Sequence, residues 1–174
     1  MELARNFYTV HKFGGSSVAD ASRFIEVTKI LNGSKEIIVV SATKGTTTKL
    51  QNMLDAARDG QSWKMDLANL EQMHQLIVKN LLPENKHAEL FSVLNHDFKT
   101  IANIFDTVNQ ISTYSTEIQD FVLGYGEQWS ARILATLLSL HSKALYLDAT
   151  EVLYSYKSGG VVGIDWERSE KAIQ

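Results

Sequence analysis

The sequence contains no cysteine. A disulfide framework, a thiolate nucleophile and a zinc–thiolate centre are therefore excluded for this chain. Proline is nearly as scarce. Pro83 stands alone, where average usage of about 5% would give about nine. Few prolines point to few loops or to long helical stretches. No apolar run approaches the ~18 residues of a membrane-spanning helix, so no membrane partner is expected. There is no surplus of positive charge either: 17 Lys and Arg face 20 Asp and Glu, for a net charge of −3. That balance argues against nucleic acid as the main partner. Residues 1–7 carry one Arg and one Glu and no long apolar h-region. No secretory signal is expected, and the cytoplasm is the expected compartment.

What remains is ordinary globular material. Hydrophobic residues make up 44% of the chain and charged residues 21%, which rules out global disorder. A length of 174 residues predicts one domain, or one and a small part, with a core of its own.

Tyr8 to Phe13 reads as a strand, closed by Gly14-Gly15. Ser16, Ser17 and Asp20 offer N-caps, and Phe24, Val27, Ile30 and Leu31 recur at helical spacing. A helix over about 18–31 follows from that pattern. Ile37-Ile38-Val39-Val40 is a continuous β-branched run, of the kind found in strands buried on both faces. Strand, helix and strand make one βαβ unit with parallel strands. Ser41 to Thr48 is a polar turn, with Thr46 or Thr47 as candidate N-cap of a helix reaching about Asp59.

From Gly60 to Gly124 the chain is poor in Gly and Pro, and this block accounts for the missing prolines. Leu67, Leu70, His74, Ile77 and Leu81 mark one helix, stopped by Pro83. Leu90, Leu94, Ile101, Ile104, Phe105, Val108 and Ile111 mark one or two more. Gly124-Tyr125-Gly126 is expected to interrupt the apolar stretch that begins at Ile118, with a new helix from Glu127 to Leu140. Ala144 to Asp148 reads as a third strand, Ser158-Gly159-Gly160 as a loop and Asp165 to Lys171 as a charged tail.

Three loops carry candidate chemistry. Lys12-Phe13-Gly14-Gly15-Ser16-Ser17 lies at the C-terminal end of a strand and before a helix. Two glycines let backbone approach a ligand closely, and a helix N-terminus favours an anion. A lysine on the strand end adds a charge able to follow a phosphoryl group. The competing reading is a plain turn beside a solvated lysine. Walker A and G-x-G-x-x-G patterns are absent, which disfavours a P-loop enzyme and a dinucleotide-binding domain. The second loop, Ser41 to Thr48, offers hydroxyls and N–H groups to a carboxylate or phosphate, or is simply a capping sequence. In the third, Gly124-Tyr125-Gly126-Glu127, Glu127 either favours the helix dipole in a first turn or holds a ligand ammonium. Glu71 and His74 share i,i+3 metal-ligand spacing, but no second pair accompanies them and no metal site is expected.

Taken together, these segments resemble the aspartate kinases. Lys12-Phe13-Gly14-Gly15-Ser16-Ser17-Val18 is similar to that family's opening K-F-G-G-[TS]-S-V. Val40-Ser41-Ala42 resembles its next segment. Gly126-Glu127 with Ser130 resembles its H-G-E-x-x-S segment, with Tyr125 where the family usually has His. The resemblance runs from about Tyr8 to Leu153.

The resemblance implies an α/β amino acid kinase fold, a mainly parallel sheet between helices, with a helical insertion at about 61–123. It implies transfer of the γ-phosphoryl group of ATP to the β-carboxylate of L-aspartate, on the route to lysine, threonine and methionine. Lys12 would be the catalytic cation, and Lys12, Phe13, Gly14, Gly15 and Ser16 the phosphate loop. Ser41 and Thr47 would meet the aspartate carboxylates, and Glu127 its ammonium. Mg²⁺ would arrive with ATP rather than sit in a protein cage. The Gly-rich G-R-[GN]-G-S-D-[YF]-[ST]-A segment, the nucleotide-binding half and the ACT regulatory domains are not found in residues 1–174. The expectation is therefore an N-terminal portion of a longer kinase, inactive alone and self-pairing at an open edge near Ala144 to Asp148. Another carboxylate or carbamate kinase of the same fold, and a non-catalytic anion-binding or dimerisation module, are the alternatives.

Overall fold

The computed structural model, which describes residues 8–173, opens with strand β1 at Thr9–Phe13, where the β-branched and aromatic run predicts one. A short 3₁₀ turn, Gly15–Val18, then leads into helix α1, Ala21–Ile30. Asp20 is its N-cap and accepts from the Arg23 N–H. The helix therefore starts three residues later than the apolar spacing alone predicts. Strand β2, Glu36–Val40, pairs parallel to β1, running from Thr9 opposite Glu36 to Phe13 opposite Val40. The expected βαβ unit is present. The reading of residues 1–7 lies outside the described residues.

One expectation about this unit fails. The apolar run of β2 is not buried on both faces. Val40 is buried, but Ile37 and Val39 are about half exposed, and Tyr8 and Val10 of the neighbouring segment are more exposed still. Alternate residues face water because the described helices cover one side of the strand pair.

Helix α2, Thr46–Arg58, is capped by Gly45 rather than by a threonine. Helices α3, Lys64–Leu81, α4, His87–Ile111, and α5, Thr116–Ser139, follow. Pro83 ends α3 as predicted, its predecessor Leu82 being extended. Leu90, Leu94, Phe98, Ile101, Phe105 and Val108 line the buried stripe of α4, a single helix throughout. Helix α2 packs on α3, α4 and α5, and α5 also packs on β2. Polar ties hold α2 to α5 and to the connection that precedes it. Tyr114 donates to Asp55 at 2.7 Å, and Gln119 donates to Gln51 at 2.6 Å.

The core of this block is aromatic at its centre. Trp129 is fully buried, stacked on Phe98 at 4.3 Å and met edge-on by His74 at 4.8 Å. Its indole N–H donates to the buried Asp97 carboxylate at 3.0 Å.

Two further expectations are corrected. Residues 124–126 do not interrupt a helix; α5 runs through them without a break. Residues 144–148 form no strand, so the expected pairing edge is not there. The described residues from Leu145 onward make a second unit. It holds helix α6, Ala149–Val152, strands β3, Ser155–Ser158, and β4, Val161–Ile164, and helix α7, Trp166–Ile173. β3 and β4 form an antiparallel hairpin across Gly159-Gly160, and the charged tail is helix α7.

His74 adds a pH dependence to the fold. Burial pushes its pKa from 6.5 down to about 4, so the folded chain holds the ring neutral. The unfolded chain protonates this ring below pH 6.5. Its stabilising contribution is therefore complete above that value and is lost as pH falls toward 4. The depressed carboxylates Asp20, Glu36, Asp55 and Asp59 act mainly lower, around and below their ordinary 3.8 to 4.5. Urea unfolding between pH 6 and 5 should thus lose roughly 1.4 kcal/mol per pH unit, the value of one proton. In His74→Gln that slope should be close to zero. An equal slope in both proteins would contradict the assignment.

Candidate functional site

The site is built where two strand ends meet a helix. The sheet ladder continues one step past Val40, because the Ser41 N–H donates to the Phe13 carbonyl at 2.9 Å. This bond brings the two loops that follow β1 and β2 side by side. Lys12, exposed near the end of β1, then reaches across: its ammonium donates to the Ser41 hydroxyl at 2.9 Å. Two residues singled out independently in the sequence are in direct contact.

Glycines set the spacing of the remaining parts. A β-carbon on Gly15 would lie 2.7 Å from the Ala42 carbonyl oxygen. A β-carbon on Gly126 would lie 2.7 Å from the Ala42 methyl and 3.1 Å from Thr46 Cγ2. No side chain fits at either place. Ala42 is itself buried, held between the 3₁₀ turn on one side and α5 on the other. Gly126 thus serves close packing rather than a helix break, and a helix with neighbours can tolerate it in its interior at a cost of about 1 kcal/mol.

The other predicted residues take these places. Phe13 ends β1, half buried, with its ring parallel to that of His11 at 6.1 Å. Gly14 is extended, and Gly15 opens the turn whose second residue, Ser16, is exposed. Thr47 is exposed in the first turn of α2. Glu127 is exposed and directly follows Gly126. It lies in the middle of α5, so the helix dipole does not explain it. Tyr125 is buried, edge-on to Phe121 at 5.3 Å and stacked on Trp129 at 5.9 Å. It belongs to the aromatic core. Ser130 is buried and its hydroxyl donates back to the Gly126 carbonyl at 3.2 Å.

Beneath the second loop lies a buried polar chain that the motifs do not reveal. His74 Nδ1 is 2.9 Å from the Leu70 carbonyl, and Nε2 is 3.3 Å from the Thr43 hydroxyl. Thr43 in turn bonds the Thr46 hydroxyl. All three side chains are buried. The available signal is a histidine in the apolar stripe of α3 between Leu70 and Ile77. With both ring nitrogens engaged, His74 makes no ligand pair with Glu71. Among the described residues no three His, Asp or Glu side chains gather closely enough to hold a metal.

The model of the amino acid kinase family matches residues 8–174. The chain belongs to the amino acid kinase family. The bifunctional aspartokinase/homoserine dehydrogenase 2 of Zea mays is 30% identical to it, over 97% of this chain and 19% of that protein. The enzyme of the same name from Escherichia coli K12 is 30% identical over 83% of this chain and 18% of its own length. Among solved structures, E. coli aspartokinase III in complex with aspartate and ADP superposes with a TM-score of 0.79. It covers 95% of this chain and 36% of that one at 20% identity, a likeness of fold. The aspartate kinase of Clostridium acetobutylicum gives a TM-score of 0.72 at 25% identity, over 95% of this chain and 35% of that one. The fold is thus the amino acid kinase fold, and the chain spans about a fifth of the length of the curated relatives it matches.

The glycine contacts of this family member make a paired prediction. Gly126→Ala forces a methyl into Ala42 and should cost about 1–3 kcal/mol in urea unfolding. Gly124→Ala, two residues earlier on the same helix, meets nothing within 4 Å and should stabilise by up to about 1 kcal/mol. Equal effects of the two substitutions would contradict the packing seam.

Proposed function

We propose that this chain carries the phosphoryl and substrate loops of an aspartate kinase. The observation that supports this best is the contact of the Lys12 ammonium with the Ser41 hydroxyl, at the C-terminal ends of two adjacent parallel strands. Ligands of open α/β sheets bind at that edge. The relatives are aspartokinases by name, and one matching structure holds aspartate and ADP; both agree with the reading.

In this reading a carboxylate oxygen of L-aspartate attacks the γ-phosphorus of ATP. The bond from that phosphorus to the β,γ-bridging oxygen breaks, and ADP leaves with the electron pair. The products are 4-phospho-L-aspartate and ADP. The nucleophile is already ionised at neutral pH, so no general base and no protein nucleophile is required. What the protein must supply is position and positive charge. Lys12 supplies the mobile charge near the transferring group. The backbone of Gly14 and Gly15, with Phe13 and Ser16 beside them, cradles the phosphates. The hydroxyls of Ser41 and Thr47 receive the aspartate carboxylates. Glu127, exposed beside the Gly126 seam, faces the α-ammonium with the opposite sign. Mg²⁺ carried in on ATP supplies further neutralisation of phosphate charge.

Lys12→Ala tests the assignment. In the catalytically complete protein kcat should fall by about 10²–10³-fold, the usual effect of removing one donor from a developing charge. The thermal melt should hardly move, because Lys12 is exposed. An unchanged kcat would overturn the role given to this lysine.

A further inference from the structure

The buried chain from His74 to Thr46 has a direction. A carbonyl oxygen only accepts, so the bond to Leu70 requires the proton on His74 Nδ1. In the neutral ring Nε2 is then an acceptor, and the Thr43 hydroxyl must donate to it. Thr43 has then used its only proton, so the Thr46 hydroxyl must donate to Thr43. Each hydroxyl in the 43–46 turn is thus oriented by an imidazole on a different helix. The turn it orients carries Ser41 at one end and Thr47 at the other, and its Ala42 is the residue held by Gly15 and Gly126. The ring itself cannot turn freely: Trp129 meets it edge-on at 4.8 Å and Phe98 lies at 6.1 Å.

We propose that His74 is a positioning residue: as the Nδ1–H tautomer it locks the Thr43 and Thr46 hydroxyls and so holds the 41–47 turn in its substrate-receiving shape. This rests on the reading of that turn as the carboxylate site, but its first consequence, an ordered turn, stands apart from any substrate. His74 touches no substrate in this account. It acts through Thr43, and the helical block thereby shapes a loop with which it shares no sequence.

Two readouts on the whole 174-residue chain separate the two claims. The first is nuclear magnetic resonance of the unliganded protein at neutral pH. The His74 imidazole should show a protonated Nδ1 and a bare Nε2; the opposite tautomer overturns the proposal. Exchange of the Thr46 amide, which donates to the Thr43 carbonyl at 3.0 Å, should accelerate about tenfold in His74→Phe and in Thr43→Val. His74→Gln, which keeps an acceptor toward Thr43, should stay within about threefold of the parent. If either disrupting variant is folded and exchanges like the parent, the proposal fails. Thr43→Val leaves the histidine in place and carries this test if His74→Phe does not fold.

The second readout is calorimetric titration with L-aspartate. Affinity should fall about tenfold in His74→Phe and in Thr43→Val. The double variant should be no worse than either single one, because both break the same chain. Parent-like affinity in a folded variant, or additive losses, would overturn the positioning role. If the parent protein binds no aspartate while the turn loosens as described, the substrate reading fails and the ordering role of His74 stands.

Discussion

Ala42 is the residue on which the assembly depends. It sits between two backbones that carry no side chain toward it, and both contacts would clash if a single methyl were added. Through it the turn after β1, the turn after β2 and the middle of α5 come within van der Waals reach of one another. The packing is tight enough that volume, not charge, decides the geometry. The polar groups then fall into place on this frame. Lys12 reaches Ser41, Thr47 stands exposed in the first turn of the next helix, and Glu127 emerges one residue beyond the seam. The seam brings backbone from three segments together at Ala42, and the proposed site draws its polar groups from those same segments.

Around this seam the helical block does more than fill space. Its aromatic centre, Trp129 with Phe98 and His74, backs directly onto the polar turn through Thr43. A neutral imidazole is well suited to such a boundary. One nitrogen satisfies a helix carbonyl and the other orients a hydroxyl, while the ring packs as an apolar group. Burial lowers its pKa to about 4, which keeps the hydrogen-bond directions constant across neutral pH.

Much of this is legible in the residues. The two parallel strands, the helices around them and the stop at Pro83 follow from β-branching, apolar period and proline chemistry. The K-F-G-G-S-S-V string locates the first loop, and its partner Ser41 lies at the next strand end. Where the residues mislead, the causes are physical. Glycine has two uses, turning a chain and permitting close approach, and nothing local distinguishes them; Gly126 resembles the first and performs the second. β-Branched runs signal strands without telling which faces are covered, so Ile37 and Val39 look buried in the sequence and are half exposed in the fold. Ala144 to Asp148 has strand-like composition but belongs to no strand ladder among the described residues. The His74–Thr43–Thr46 chain joins residues 31 positions apart at its longest step, and such contacts exist only once the helices have packed.

The central claim is that loops gathered at Ala42 recognise a carboxylate that will accept a phosphoryl group. Calorimetric titration of the chain with L-aspartate, run beside L-asparagine, tests it most directly. The two ligands differ little in size, but only the first has a side-chain carboxylate. The account predicts saturable binding of aspartate with affinity at least about tenfold above that for asparagine, a difference erased in Ser41→Ala. Equal binding of the two ligands, or aspartate binding indifferent to Ser41, would contradict it.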